Sequence, residues 1–302
     1  MRERPLFAGI ELGGTKCVCL LASGPEEILA EERLATGDPA ATLTALASVI
    51  AGWHSQHTLR AIGLASFGPL ERDPASPRFG QLLDTPKPGW SGFDLIAPLQ
   101  HIGLPIELDT DVNGAALAEG RWGAARGLSD YVYVTVGTGI GVGTIIGGRT
   151  IGRHAHSEAG HLRIARLRDD DWPGACLYHG DCVEGLACGP AIAARTGRAP
   201  ESLSVDDPAW DAVAHALAAL CHNLVLTVVP ERILVGGGVA LGQPQLLTRV
   251  RTALAASLGG YAGAAQLAVD QMDRFLTLAA LGALAGPLGA VAVAMRRPGP
   301  AD

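Results

Sequence analysis

The apolar positions of this chain fall into two recurring patterns. Short runs dense in Val, Ile, Leu and Ala, bounded by glycine, read as strands buried on both faces; longer stretches with apolar side chains three and four residues apart read as helices. Residues 6–23, LFAGIELGGTKCVCLLAS, make an apolar strand, a tight turn at Gly13-Gly14 and a second strand returning along the first. Residues 36–58 follow as a helix with Leu43, Leu46, Ile50 and Trp53 on one face. Arg60 to Phe67 supplies another strand, closed by Gly68-Pro69. A short run from Leu104 to Leu108 then delivers Asp109 and Asp111 to a helix favoured by Ala115, Ala116, Leu117 and Ala118, with Asn113 as its cap. Between Glu71 and Trp90 the chain is rich in Pro and Gly, too polar and broken for a core element; a functional loop and a plain surface connection are equally compatible with it.

Tyr131 to Gly148, YVYVTVGTGIGVGTIIGG, repeats the first design: a β-branched strand, a Gly-Thr-Gly tip at 137–139 and a second apolar strand. Two copies of strand, glycine tip and strand imply two halves, each offering backbone N–H groups to one nucleotide's phosphates. In the first tip Thr15 can donate a hydroxyl and Lys16 a charge; in the second, Thr138 and Gly139 take the corresponding places. Neither matches the GxxxxGK[ST] loop or the GxGxxG that opens a helix, and such a hairpin taken alone is more often a simple turn. A third glycine turn, ILVGGGV at 233–239, lets a base or ribose approach its backbone at Gly237. Leu276 to Met295 is apolar throughout, but its Ala and Gly content, Pro287 and the small residues Gly282, Gly286 and Gly289 predict a buried terminal helix instead of a membrane span.

With 302 residues and 48% hydrophobic composition, the chain can bury a large core and suits two domains better than one. A formal charge of −7 gives no basic surface for nucleic acid or acidic lipid, so a small-molecule partner is expected, with neither nucleic acid nor membrane. The opening MRERPLF has no signal-peptide pattern, which makes the cytoplasm the expected location. The six cysteines do not form a disulfide framework, since Cys17 and Cys19 alternate within a strand and Cys188 and Cys221 lie in apolar surroundings.

Two groups carry chemistry. Asp111 sits at a strand's carboxyl end, a usual address of active sites in open α/β sheets, and reads as a general base once the rest of the chain is considered; from this stretch alone Asp109 and Asp111 are more often plain helix-start residues. His161, Cys176, His179 and Cys182 lie in SEAGHLRIARLRDDDWPGACLYHGDCVEG, and two thiolates with two imidazoles match a closed, structural tetrahedral zinc site. Such a site would fix the loop carrying Glu158 and Glu184, carboxylates suited to pairs of sugar hydroxyls, and would leave the second ring nitrogen of His161 to face a substrate. His154 and His156 read as loop residues beside it.

These motifs occur together in the order found in the repressor, open reading frame and kinase (ROK) family of sugar kinases: Gly9-Ile-Glu-Leu-Gly-Gly-Thr-Lys16, Asp111-Val-Asn113, Gly137-Thr-Gly-Ile-Gly141, Glu158-Ala-Gly-His161 and Cys176-x-x-His179-x-x-Cys182-x-Glu184. The chain most resembles the family's bacterial zinc-containing fructokinases, through TPKPGW at 85–90, DTDVNG at 109–114 and CLYHGDCVEGLACGPAI at 176–192. The resemblance implies an actin-like ATPase (ribonuclease H-like) fold, α/β in class, with two α/β domains around a cleft. Its expected division is 1–112 joined by a terminal helix at 281–297, and 113–280 with a zinc loop at 161–184. It implies transfer of the γ-phosphoryl group of MgATP to the 6-hydroxyl of fructose, with mannose or glucose as alternatives, by a homodimer. It places Asp111 as base, Glu158, His161, Glu184, Asn113 and Gly68 at the sugar, and Gly13, Gly14, Thr15, Lys16, Thr138, Gly139 and Gly237 at ATP. Many glucokinase-like members carry Asn directly before the catalytic Asp; here Thr110 stands there, which loosens the link to sugar preference. The family's transcription repressors carry an N-terminal helix-turn-helix domain, and only eight residues precede Gly9 here.

Overall fold

Strands that are apolar on both faces need cover on both, and the chain provides it twice. The computed structural model describes residues 4–152, 155–261 and 271–296. They divide into two units, one built on Met1–Arg126, Thr150–His156 and Leu284–Asp302, the other on Gly127–Arg149 and Ser157–Ala283.

The first unit holds β1 (Leu6–Leu12), β2 (Lys16–Gly24), β3 (Glu27–Ala35), β4 (Leu59–Ser66) and β5 (Ile106–Thr110) in the order β3-β2-β1-β4-β5. β1 to β3 form an antiparallel meander, and β4 and β5 join parallel. Helix α1 (Pro39–Gln56) starts later than the apolar periodicity alone predicts, because Asp38 caps it, accepting from Ala41 N at 3.0 Å, and Pro39 opens its first turn. It lays the fully buried Leu43, Leu46 and Ile50 on one face of the sheet, against Ile10, Leu12, Cys17 and Leu64. The segment after β4 also contributes to this core, through Leu70, Leu82 and Trp90, so the stretch from Glu71 to Trp90, read as too polar for a core role, supplies two of its buried side chains.

The other face is covered by α2 (Asp111–Trp122) and the terminal helix α9 (Ala285–Ala294). Small residues let these backbones meet: a Cβ on Gly289 would come within 2.5 Å of Gly114 C, and one on Gly63 within 2.0 Å of Ala290 O. That packing keeps α2 in the first unit, so the division falls after Arg126 and not at 112, and Thr150–His156 joins the first unit too.

The second unit repeats the scheme. Strands β6 (Tyr131–Val136), β7 (Ile140–Ile146), β8 (Arg149–Thr150), β9 (Arg232–Gly236) and β10 (Leu276–Leu278) run in the order β10-β9-β6-β7-β8, the same path as the first sheet. β6 and β7 form an antiparallel hairpin, and β9 and β10 join parallel. Between β8 and β9 lie α3 (Val183–Ala187), α4 (Gly189–Thr196) and α5 (Ala209–Val228); α6 (Gly238–Gly242), α7 (Gln245–Leu258) and α8 (Met272–Phe275) follow β9. Trp210, Val213, Leu217 and Leu220 of α5 and Val250 and Leu254 of α7 pack on Val132, Val134 and Val136.

Among the described residues α5 is the one helix long and apolar enough to cross a membrane, and more than half of its most apolar stretch is buried in this core. The apolar stretch from Leu276 to Met295 is not one helix: its first three residues are β10, and α9 has 10 residues. A fully buried strand and a buried helix are equally apolar, so periodicity does not separate them.

Candidate active site

The catalytic candidate is held by backbone and charge together. Asp111 is the first residue of α2, and Val112 N donates to its Oδ1 at 2.8 Å. The cap is Thr110, whose Oγ1 accepts from Asn113 N at 3.2 Å. Asn113 is therefore not the cap, as expected from sequence, because the helix begins two residues earlier. Asn113 is 3% exposed, and its side-chain amide donates to Asp109 Oδ1 at 2.7 Å.

Asp109 anchors this corner. Its carboxylate is fully buried, and Arg72 Nη2 lies 3.0 and 3.1 Å from its two oxygens. It also accepts from Thr110 N at 2.8 Å and from Thr150 Oγ1 at 3.3 Å, and Arg296 just beyond α9 donates to Oδ2. Arg72 Nη1 reaches Gly152 O at 3.2 Å. Burial pulls the Arg72 guanidinium below its ordinary pKa, and the Asp109 carboxylate opposes that shift. Four separate segments are thus tied to the residue two before Asp111.

Strand register places the first glycine tip near Asp111. Leu12 pairs with Ser66, and Ser66 with Thr110, so the ends of β1, β4 and β5 lie side by side. Adjacent strands sit about 4.8 Å apart, which puts the tip after Leu12 roughly 10 Å across the sheet from the start of α2. Within the tip, Gly14, Thr15 and Lys16 are exposed. Gly13 does not adopt a left-handed φ; its requirement is space, because a Cβ would stand 2.7 Å from Lys16 O. Glu11 on β1, which sequence reading passed over, is raised to about 7, first by burial and then by the charge of Asp111. Gly68 lies against His156, read from sequence as a loop residue, whose Nε2 accepts from Leu70 N at 3.0 Å. His154 lies outside the described residues.

The second unit gathers the remaining candidates. At the tip between β6 and β7, Thr138 is exposed, and Glu184 from α3 accepts from Ile140 N at 2.9 Å through Oε2. Gly139 makes room for it, since a Cβ there would sit 2.7 Å from that oxygen. Gly237, with φ of 87°, turns the chain after β9 directly under this tip; a Cβ would stand 2.5 Å from Val136 O. Glu184 Oε1 lies 3.8 Å from His161 Nε2, and Glu158 is exposed at the start of the short turn Ala159–His161.

His161, Cys176, His179 and Cys182 turn one ligand atom each toward a common point, all within 4.8 Å of one another. A tetrahedron with Zn–S of about 2.3 Å and Zn–N of about 2.0 Å has edges of about 3.5 Å from S to N and about 3.3 Å from N to N. The observed edges are 3.6 Å from His161 Nδ1 to each sulfur, 3.7 Å from Cys176 Sγ to His179 Nδ1, and 3.4 Å between the two Nδ1 atoms. The donor set therefore fits a tetrahedral cation. Burial pushes the Cys182 thiol up to about 11, a shift that a bound cation would reverse by holding the thiolate. The knuckle itself is a tight turn in which Cys176 and Gly180 exchange backbone hydrogen bonds of 3.0 and 3.1 Å.

Two five-stranded sheets of one topology, each with a glycine-tipped hairpin, and an acid at the end of β5 define the actin-like ATPase fold. The chain belongs to the ROK family, whose model matches residues 7–297. It is 38% identical over 292 residues to the fructokinase of Pediococcus pentosaceus, covering 96% of this chain and 97% of that protein. With the fructokinase of Zymomonas mobilis it shares 39% identity over 299 residues, 97% of each. A ROK family glucokinase from Streptomyces griseus, solved in complex with glucose and AMPPNP, matches with a TM-score of 0.74 at 25% identity, covering 96% of this chain and 99% of that one. The ROK hexokinase from Thermus thermophilus matches with 0.75 at 29% identity, covering 96% and 97%.

Proposed function

We propose that this chain is an ATP-dependent hexose kinase that transfers the γ-phosphoryl group of MgATP to the 6-hydroxyl of its sugar, with fructose the preferred acceptor. The observation that carries the reading is the shared sheet edge: the Gly13-Gly14 tip and Asp111 leave β1 and β5 at the same edge of the sheet, with only β4 between them. A phosphate on the tip and a hydroxyl at Asp111 are then close enough for in-line transfer. The fructokinase relatives support the acceptor.

In such a transfer, cleavage of the bond to ADP runs ahead of attack, so the protein mainly positions the reactants and stabilises charge. Asp111 orients the hydroxyl and takes its proton as the new O–P bond forms, a role that supplies about 10²- to 10⁴-fold of the rate. Backbone N–H groups of the two tips and the hydroxyls of Thr15 and Thr138 hold the phosphates, and Gly237 gives the adenosine a flat approach. Mg²⁺ arrives with the nucleotide and keeps several waters.

Glu158, Glu184 and His161 are the proposed sugar contacts. Glu184 spends one oxygen on Ile140 N, which couples the sugar side to the second phosphate tip. Zinc is the ion assigned to His161 Nδ1, Cys176 Sγ, His179 Nδ1 and Cys182 Sγ; four protein ligands leave no open position, so it supplies rigidity and no activated water. With Nδ1 committed, His161 Nε2 carries the proton and faces Glu184. The Thr110 hydroxyl is used as the α2 cap and is 2% exposed, so it offers nothing to a sugar where glucokinase-like relatives carry Asn. We further propose that the enzyme works in the cytoplasm, where its free cysteines stay reduced, and as a homodimer, for which the support is its family.

A coupled ADP-release assay with fructose, mannose and glucose tests the reading. Fructose should give the highest kcat/KM. Equal values for mannose or glucose would make it a broad hexokinase, and no ADP release with any hexose would refute the kinase.

A further inference from the structure

The segment TPKPGW between β4 and β5 carries a lysine that the mechanism above does not use. Its placement is fixed by Trp90, fully buried, whose Nε1 donates to Gly37 O at 3.0 Å and whose ring meets Phe67 edge-on at 5.5 Å. From that anchor Lys87 reaches back over the first glycine tip. Its Nζ donates to Gly14 O at 2.5 Å and to Thr36 O at 3.4 Å. Thr36 in turn donates its hydroxyl to Gly13 O at 2.7 Å and its N–H to Thr15 O at 3.0 Å. The carbonyls of all three tip residues are therefore taken by donors from outside the tip. A trans peptide sets its N–H opposite its C=O, so drawing the Gly13 and Gly14 carbonyls to one side turns the N–H groups of Gly14 and Thr15 to the other. Exposed N–H groups aligned this way are what a phosphate requires, and a carbonyl left facing it would repel it.

We infer that Lys87 is a positioning residue of the nucleotide site: it locks the Gly13-Gly14-Thr15 tip in its phosphate-receiving conformation and sets a positive charge behind the tip, one peptide's width from the N–H groups that receive the phosphates. The inference rests on the reading of that tip as a phosphate cradle. A neutral donor at position 87 would supply the first contribution without the second, whereas an ammonium has three donors and supplies both. The sugar has no part in either contribution.

The test is a nucleotide series. Dissociation constants for adenosine, ADP and ATP, and KM for ATP and for fructose, are measured on the wild-type chain, Lys87→Met and Lys87→Arg, with melting temperatures to verify folding. Lys87→Met should leave adenosine binding and the fructose KM within about twofold and weaken ATP by about 10- to 100-fold, with ADP between, as loss of a charged donor predicts. Lys87→Arg should recover much of the loss, which a role limited to packing would not explain. An equal loss for adenosine and ATP, a loss confined to the fructose KM, or an unchanged KM for ATP would overturn the inference while wild-type turnover left the kinase reading standing. Absence of ATP binding by the wild-type chain would instead remove the cradle itself.

Discussion

Arg72→Met removes one of two guanidinium groups from a carboxylate with no access to water. Asp109 is 0% exposed and Arg72 8%, at a separation of 3.0 Å. At an effective dielectric of about 20, unit charges that close attract by about 5 kcal/mol. Desolvation of the guanidinium, the cause of its lowered pKa, takes back part of this. Asp109 also keeps Arg296, Thr110 N and the Asn113 amide. The net cost should therefore fall at or just below the roughly 3–5 kcal/mol typical of a broken buried pair, about 2–3 kcal/mol. A double-mutant cycle with Asp109→Asn in urea unfolding should return a coupling of about 2 kcal/mol. Because Asp109 also holds the backbone of Thr110, kcat should drop while the KM for ATP changes little. Arg72→Lys should not restore it, since an ammonium cannot span the carboxylate and the carbonyl of Gly152 together. A coupling below about 0.5 kcal/mol, or unchanged kcat in Arg72→Met, would refute the anchoring role.

Two further outcomes concern the metal and pH. Chelation of the zinc proposed at His161, Cys176, His179 and Cys182 should raise hydrogen exchange at 174–182 and weaken sugar binding before ATP binding, yet spare 166–172, where Asp170 is clamped by Arg195 at 2.8 Å and by Arg166 at 3.3 Å; full activity in verified metal-free protein would contradict this. Glu11 binds its proton more tightly folded, near pH 7, than at its ordinary value of 4.5, so the folded state holds the extra proton between those values. Stability should accordingly fall as pH rises from about 4.5 through 7, by about 3 kcal/mol in all, and Glu11→Gln should flatten that slope in urea midpoints measured at pH 5 and pH 8; a slope that survives the substitution would exclude Glu11 as its source.

Both hairpins could be read from sequence because their strands are apolar on both faces and glycine alone interrupts them, and the duplicated sheet follows from that repetition. The metal knuckle was equally legible, since Cys176, His179 and Cys182 need only a local turn; His161 lies 15 residues before Cys176 and closes the set only through the fold. The Asp109 anchor left no such trace. Its arginines stand 37 and 187 residues away, and a lone Asp before a helix looks like a cap. The cap itself was misassigned because Thr110 and Asn113 are both capping types, and only the observed helix start decides between them. Lys87 was hidden for a related reason: its partners are backbone carbonyls, which carry no residue signature.

The most direct measurement is single-turnover phosphoryl transfer from MgATP to fructose by Asp111→Asn, with sugar and nucleotide affinities determined on the same protein. The rate should fall by about 10²- to 10⁴-fold with both dissociation constants close to wild type. Transfer at a near wild-type rate would show that the carboxylate at position 111 is not the base, and the shared sheet edge would lose its functional meaning.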